Sequence, residues 1–78
     1  MENQIMTDHE FLTIIHHEFE TNKADNIKLN ALLVRLEARF DISSLFVKGY
    51  EQTLTGAESR AVRLYYNISK ELIRKTLT

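Results

Sequence analysis

The chain of 78 residues has no cysteine, no proline and no tryptophan, and only two glycines. Each absence excludes something. Without cysteine there are no disulfides and no thiolate metal sites, a usage that fits a reducing compartment. Without proline, and with glycine only at positions 49 and 56, little punctuates a long helix. No apolar run approaches the ~20 residues needed to span a bilayer. No charged-then-apolar leader opens the chain, so the expected location is cytoplasmic, peripheral at most at the inner membrane face. Phosphate-cradling glycine loops and glycine-flanked nucleophile elbows are missing as well. Ser43, Ser44, Ser59 and Ser69 read as caps or helix surface, and Asn67-Ile68-Ser69 matches a glycosylation sequon only by chance. The chain is therefore expected to be no enzyme and to need no cofactor.

What is present reads as helix. With 44% hydrophobic residues and a net charge of −1, the composition is that of a folded domain rather than a disordered tail. Strand alternation is absent over any useful length, while helical spacing recurs four times. Thr7 and Glu10 have the spacing of a capping box, and Phe11, Leu12, Ile15 and Phe19 follow on one face, with Ile14 beyond its margin. Asp25 or Asn26 can cap a second helix from about Ile27 to Phe40, with Leu29, Leu32, Leu33, Leu36 and Phe40 as its stripe. Asp41 can cap a shorter third helix, with Ile42, Leu45, Phe46 and Tyr50 as its inward positions. Thr55 and Glu58 form a second capping box that opens the longest helix, where Ala57, Ala61, Leu64, Tyr65, Ile68 and Leu72 share a face. The fold class predicted is all-α: a single antiparallel four-helix bundle over residues 1–78, with 1–6 frayed.

Charge is unevenly distributed. Residues 1–26 carry Glu2, Asp8, Glu10, Glu18, Glu20 and Asp25 against Lys23 alone. Residues 57–78 carry Arg60, Arg63, Lys70, Arg74 and Lys75 against Glu58 and Glu71. Antiparallel packing of the acidic front on the basic end is the plain explanation; a basic surface offered to an anionic partner is the sharper one. On the fourth helix Arg60, Arg63, Asn67, Lys70 and Arg74 lie opposite the apolar face. The span from Arg60 to Arg74 is roughly 21 Å. Val62, Tyr66, Ile73 and Leu77 lie on its flank, and aromatic and aliphatic residues beside arginine are typical of contact surfaces. Arg60, Arg63, Lys70 and Arg74 are thus the expected electrostatic contacts, and Tyr66 and Ile73 the apolar anchors.

Three other features are weighed against that one. His9, His16 and Glu20 share a side of the first helix, but their spacing forces no third ligand, and His16-His17-Glu18 is not a His-Glu-x-x-His motif. We read them as a solvated face that binds no metal; His17, beside Ile14, could serve as a pH-sensitive packing residue. The segment Leu36 to Tyr50 resembles a bacterial helix-turn-helix, with Ala38 in its first helix, a turn at Asp41, and Ile42 and Val47 as core residues of the second. Ser44, Leu45 and Phe46 cannot replace the Arg, Asn or Gln that read base edges, so DNA binding is the runner-up and a nucleic-acid partner is not expected. Ile27, Ala31, Val34 and Ala38 make a second apolar stripe on the second helix, which suits a central helix or a homodimer through Ile27, Val34 and Ala38.

The stretch from Leu45 to Leu72, with Gly49 followed after a polar gap by Arg63-Leu64-Tyr65-Tyr66-Asn67-Ile68-Ser69-Lys70, resembles the second half of the immunity proteins for pediocin-like (class II) bacteriocins. Leu29 to Phe40 is similar to their preceding leucine-rich helix, and together the resemblance covers about half the chain. It implies a cytosolic antiparallel four-helix bundle without catalytic residues. It also implies a partner at the inner membrane face: the membrane-protein receptor, a mannose phosphotransferase permease, or its complex with bacteriocin. The chain is shorter than most members and stops at Thr78 without their C-terminal extension, which puts any specificity on the end of the fourth helix.

Overall fold

A computed structural model describes residues 6–77, with the side chains of residues 6–74. Four helices follow one another: α1 (Asp8–Thr21), α2 (Asn26–Arg39), α3 (Ile42–Glu51) and α4 (Gly56–Leu77). No strand occurs among the described residues. Each helix starts where a short polar side chain can accept from the exposed amides of the first turn. The Thr7 hydroxyl accepts from the Glu10 amide at 3.1 Å and the Glu10 carboxylate from the Thr7 amide at 3.0 Å. Thr55 and Glu58 repeat the arrangement at 3.2 and 3.1 Å. Asp25 caps α2 through the Lys28 amide at 3.1 Å, and Asp41 caps α3 through the Ser44 amide at 3.3 Å.

The chain is an all-α four-helix bundle organised around its last helix. α4 packs against each of the other three, α1 also packs on α2, and α3 is attached mainly through α4. Two residues join α2 to α3, the buried Phe40 and Asp41, so that connection is a corner rather than a packed hairpin. Leu12, Ile15, Leu29, Leu32, Leu36 and Ile68 are fully buried, and Phe11, Phe19, Phe40, Ile42, Leu45, Ala61 and Leu64 complete the core. The stripe anticipated on α1 is buried, as are Leu29, Leu32, Leu36 and Phe40, with Leu33 half-buried; on α4 Ala61, Leu64 and Ile68 are buried, while Ala57, Tyr65 and Leu72 are half-buried.

The structure departs from the sequence reading at α3. Ile42 and Leu45 are buried, but Phe46 is 41% exposed, Val47 60% and Tyr50 92%. A ten-residue helix held chiefly by one neighbour can bury one narrow stripe, and the others are left outward. Gly49 is not required by a close approach, since an added Cβ would meet only ordinary contacts with Leu54, at 3.7 Å and beyond. At the N-terminus, Met6 is packed against the core rather than frayed, while residues 1–5 lie outside the described part. The thinnest dimension is 16 Å, about two helix layers, so every helix keeps an outward face.

Candidate functional site

The outward face of α4 is a helix surface because Ala61, Leu64 and Ile68 turn the opposite side into the core. Arg60, Arg63, Lys70 and Arg74 are all exposed, and Asn67 is half-buried between them. Tyr66 and Ile73 are 55% and 57% exposed beside them. The Lys70 ammonium lies over the Tyr66 ring, 5.1 Å from its centroid, so the aromatic and the cation form one patch. Arg74 is 3.7 Å from Glu71 on its own helix. The structure therefore places all six sequence-predicted residues on one long face. Leu77, also expected on the flank, lies outside the described side chains.

The acidic front does not answer this charge. Asp8 is taken by Arg39 of α2 at 2.8 Å, and Glu18 by Arg35 of α2 at 3.1 Å. Glu37 of α2 accepts from the Tyr65 hydroxyl, which raises the Tyr65 pKa chiefly through that bond. Glu58, the one acid in the first turn of α4, caps its own helix and binds Lys48 of α3 at 3.0 Å. Those hydrogen bonds, led by the one from the Thr55 amide and then that from Lys48, hold its pKa below the ordinary carboxylate value. Among the described residues, Arg60, Arg63 and Lys70 make no ion pair with a carboxylate. The plain explanation of the charge asymmetry thus fails in detail: α1 packs on α4, but Asp8 and Glu18 pair with α2, Glu10 caps its own helix, and Glu20 pairs with Lys23.

The structure also joins two features that lay far apart in the sequence. Arg60 Nη1 donates to His9 Nδ1 at 2.9 Å, a bond across 51 positions that ties the start of α1 to α4. Along the same interface His16, two turns beyond His9, lines a groove between α1 and α4 with Arg60, Arg63, Leu64 and Asn67. His16 and Asn67 are the residues of this groove that the sequence did not single out as contacts. The signal was the i, i+7 spacing of His9 and His16, which puts both on one side of α1, but nothing local says which helix they meet. Among the described residues no three metal-ligating side chains converge.

The other candidate surfaces are less equipped. Lys48 is the one basic residue of α3, and its ammonium is held by Glu58, which leaves hydroxyl and apolar groups on the would-be recognition helix. The second stripe of α2 does face outward: Ile27 is 84% and Val34 63% exposed, and Ala31 and Ala38 are exposed too. No described helix is long and apolar enough to cross a membrane. No protein-family model, no curated protein and no solved structure matches the chain.

Proposed function

We propose that the chain is a non-enzymatic docking module of the bacteriocin-immunity type, which offers the outer face of α4 to an acidic surface of a membrane protein on the cytoplasmic side. The observation that carries the reading is the positive charge of Arg60, Arg63 and Lys70, which no described carboxylate pairs, set beside the exposed Tyr66 and Ile73. Long-range attraction brings such a face to an anionic partner and orients it, and the two apolar side chains supply contact area once it has arrived. The resemblance of Leu45 to Leu72 to bacteriocin immunity proteins names the kind of partner, a permease or its bacteriocin complex.

The test is expression of the chain in a bacterium sensitive to pediocin-like bacteriocins, with survival scored against a panel of them. Protection is the expected result, and it should be abolished by Arg63→Glu with Arg74→Glu while helicity is unchanged. Sensitivity to every member, with the protein folded and abundant, overturns the reading. Undiminished protection by the double variant removes the basic face from the mechanism. A homodimer through Ile27, Val34 and Ala38 is compatible with docking by α4, because the two surfaces lie on different helices. The exposure of Ile27 and Val34 favours it, and a monomer mass in light scattering would dismiss it.

A further inference from the structure

Where α1 and α4 meet, the groove lined by His16, Arg60, Arg63, Leu64 and Asn67 presents hydrogen-bond donors and no carboxylate. We infer that it is a binding site for a tetrahedral oxyanion of the phosphate class, carried either free or as a phosphomonoester headgroup. Arg60 and Arg63 are three positions apart, so their side chains rise from neighbouring points of one helix face. Asn67 follows Arg63 by four positions and adds an amide from the same face. His16 reaches the groove from the other helix, so donors stand on both of its walls.

The donor chemistry selects the ligand. Each guanidinium carries five N–H groups in a fixed fork. Arg60 spends one on His9 Nδ1, a contact that anchors the side chain and leaves the rest of its fork available. Arg63 meets no carboxylate among the described residues. Two acids flank the groove without lining it: Glu20, 4.0 Å from His16 Nε2, is held on its other side by Lys23 at 3.3 Å, and Glu71, four positions beyond Asn67, is 3.7 Å from Arg74. Donors on two walls can engage several oxygens of a tetrahedral anion at once, whereas a planar carboxylate would satisfy one fork. Leu64 forms the apolar part of the lining, which strengthens the charge interactions above it.

This inference goes beyond the docking reading: the groove shares Arg60 and Arg63 with that face, but Lys70, Ile73 and Arg74 take no part in it. The experiment is a titration of the folded chain with inorganic phosphate, followed by NMR at the His16 ring, the Arg60 and Arg63 side-chain N–H groups and the Asn67 amide. Sodium chloride at matched ionic strength is the control. Saturable shifts confined to those groups are expected with phosphate and not with chloride. Arg60→Gln with Arg63→Gln should weaken binding at least tenfold, while the equally neutralising Lys70→Gln with Arg74→Gln should weaken it less than threefold. A second arm uses phosphatidylcholine vesicles with and without phosphatidic acid. Binding to phosphatidic acid that free phosphate displaces assigns the site to a lipid headgroup, and binding of free phosphate alone assigns it to a soluble ligand. Shifts that merely track ionic strength overturn the proposal. So does phosphate binding that survives the double arginine variant or is lost with Lys70 and Arg74.

Discussion

α1 and α4 lie side by side with opposite charge, yet their charges are disposed of in different ways. Two acids of α1 meet arginines of α2, at 2.8 Å for Asp8 with Arg39 and 3.1 Å for Glu18 with Arg35, and the other two, Glu10 and Glu20, are held by the Thr7 amide and Lys23. The bases of α4 meet a histidine, an aromatic ring, a neighbour on the same helix, or solvent. One set of charges is consumed within the fold; the other is carried on a surface whose opposite side joins the helices. A sum over the chain, which comes to −1, conceals this division. The comparison teaches that net charge says little about a small domain, and the partner of each charge says much.

The division can be broken most severely at the inner side of α4. Ile68 is fully buried, and Ile68→Ala should cost about 2–5 kcal/mol in urea denaturation, enough to unfold much of a domain this small. Next comes Arg39→Ala, which removes the Asp8 pair, a bond to the Met6 carbonyl and the stacking on Phe11; about 1–2 kcal/mol is expected by the same measurement. Tyr65→Phe should cost about 1 kcal/mol, since it breaks the α2–α4 bond to Glu37 and leaves the ring in place. Its effect on pH dependence has a definite sign. A raised Tyr65 pKa means that wild type loses stability as pH rises through the tyrosine range, and the variant should lose less there.

Glu58→Gln sharpens the comparison at acid pH. Its lowered pKa contributes stability above the ordinary carboxylate range, and that contribution is lost as pH falls through the folded value. Thermal melts from neutral to acid pH should therefore show the variant less stable at neutrality and less steeply weakened by acid. The smallest effect is expected on the outward face of α4. Arg63→Glu with Arg74→Glu should leave the unfolding free energy within about 0.5 kcal/mol of wild type. A larger loss would show that these charges help to build the fold after all.

Much of the architecture was legible because it is local. Thr7, Asp25, Asp41 and Thr55 act on amides three residues away, and the sequence states that spacing outright. The core stripes of α1 and α4 were legible for the same reason, and so was the surface position of Arg60 to Arg74. What was not legible depends on which helix lies opposite. Arg39 with Asp8 and Arg60 with His9 are 31 and 51 positions apart, and many charge pairings satisfy the same composition. Phe46, Val47 and Tyr50 misled because apolarity makes a residue eligible for the core without guaranteeing neighbours to cover it. α3 has one principal neighbour, and that neighbour is filled by Ile42 and Leu45.

Arg39 has one more consequence. Its side chain rests over the Phe11 ring at 5.0 Å, binds Asp8, and donates to the carbonyl of Met6, all at the entrance to α1. The first turn of most helices opens readily, and its amides exchange with solvent long before the rest of the fold gives way. Here that turn is clamped by the last residue of α2, so it cannot open without releasing the end of another helix. In native-state hydrogen exchange the amides of Glu10 and Phe11, bonded to the Thr7 hydroxyl and carbonyl, should be protected almost as long as those at the middle of α1. With alanine at position 39 the same amides should exchange early, while those around Ile15 keep most of their protection.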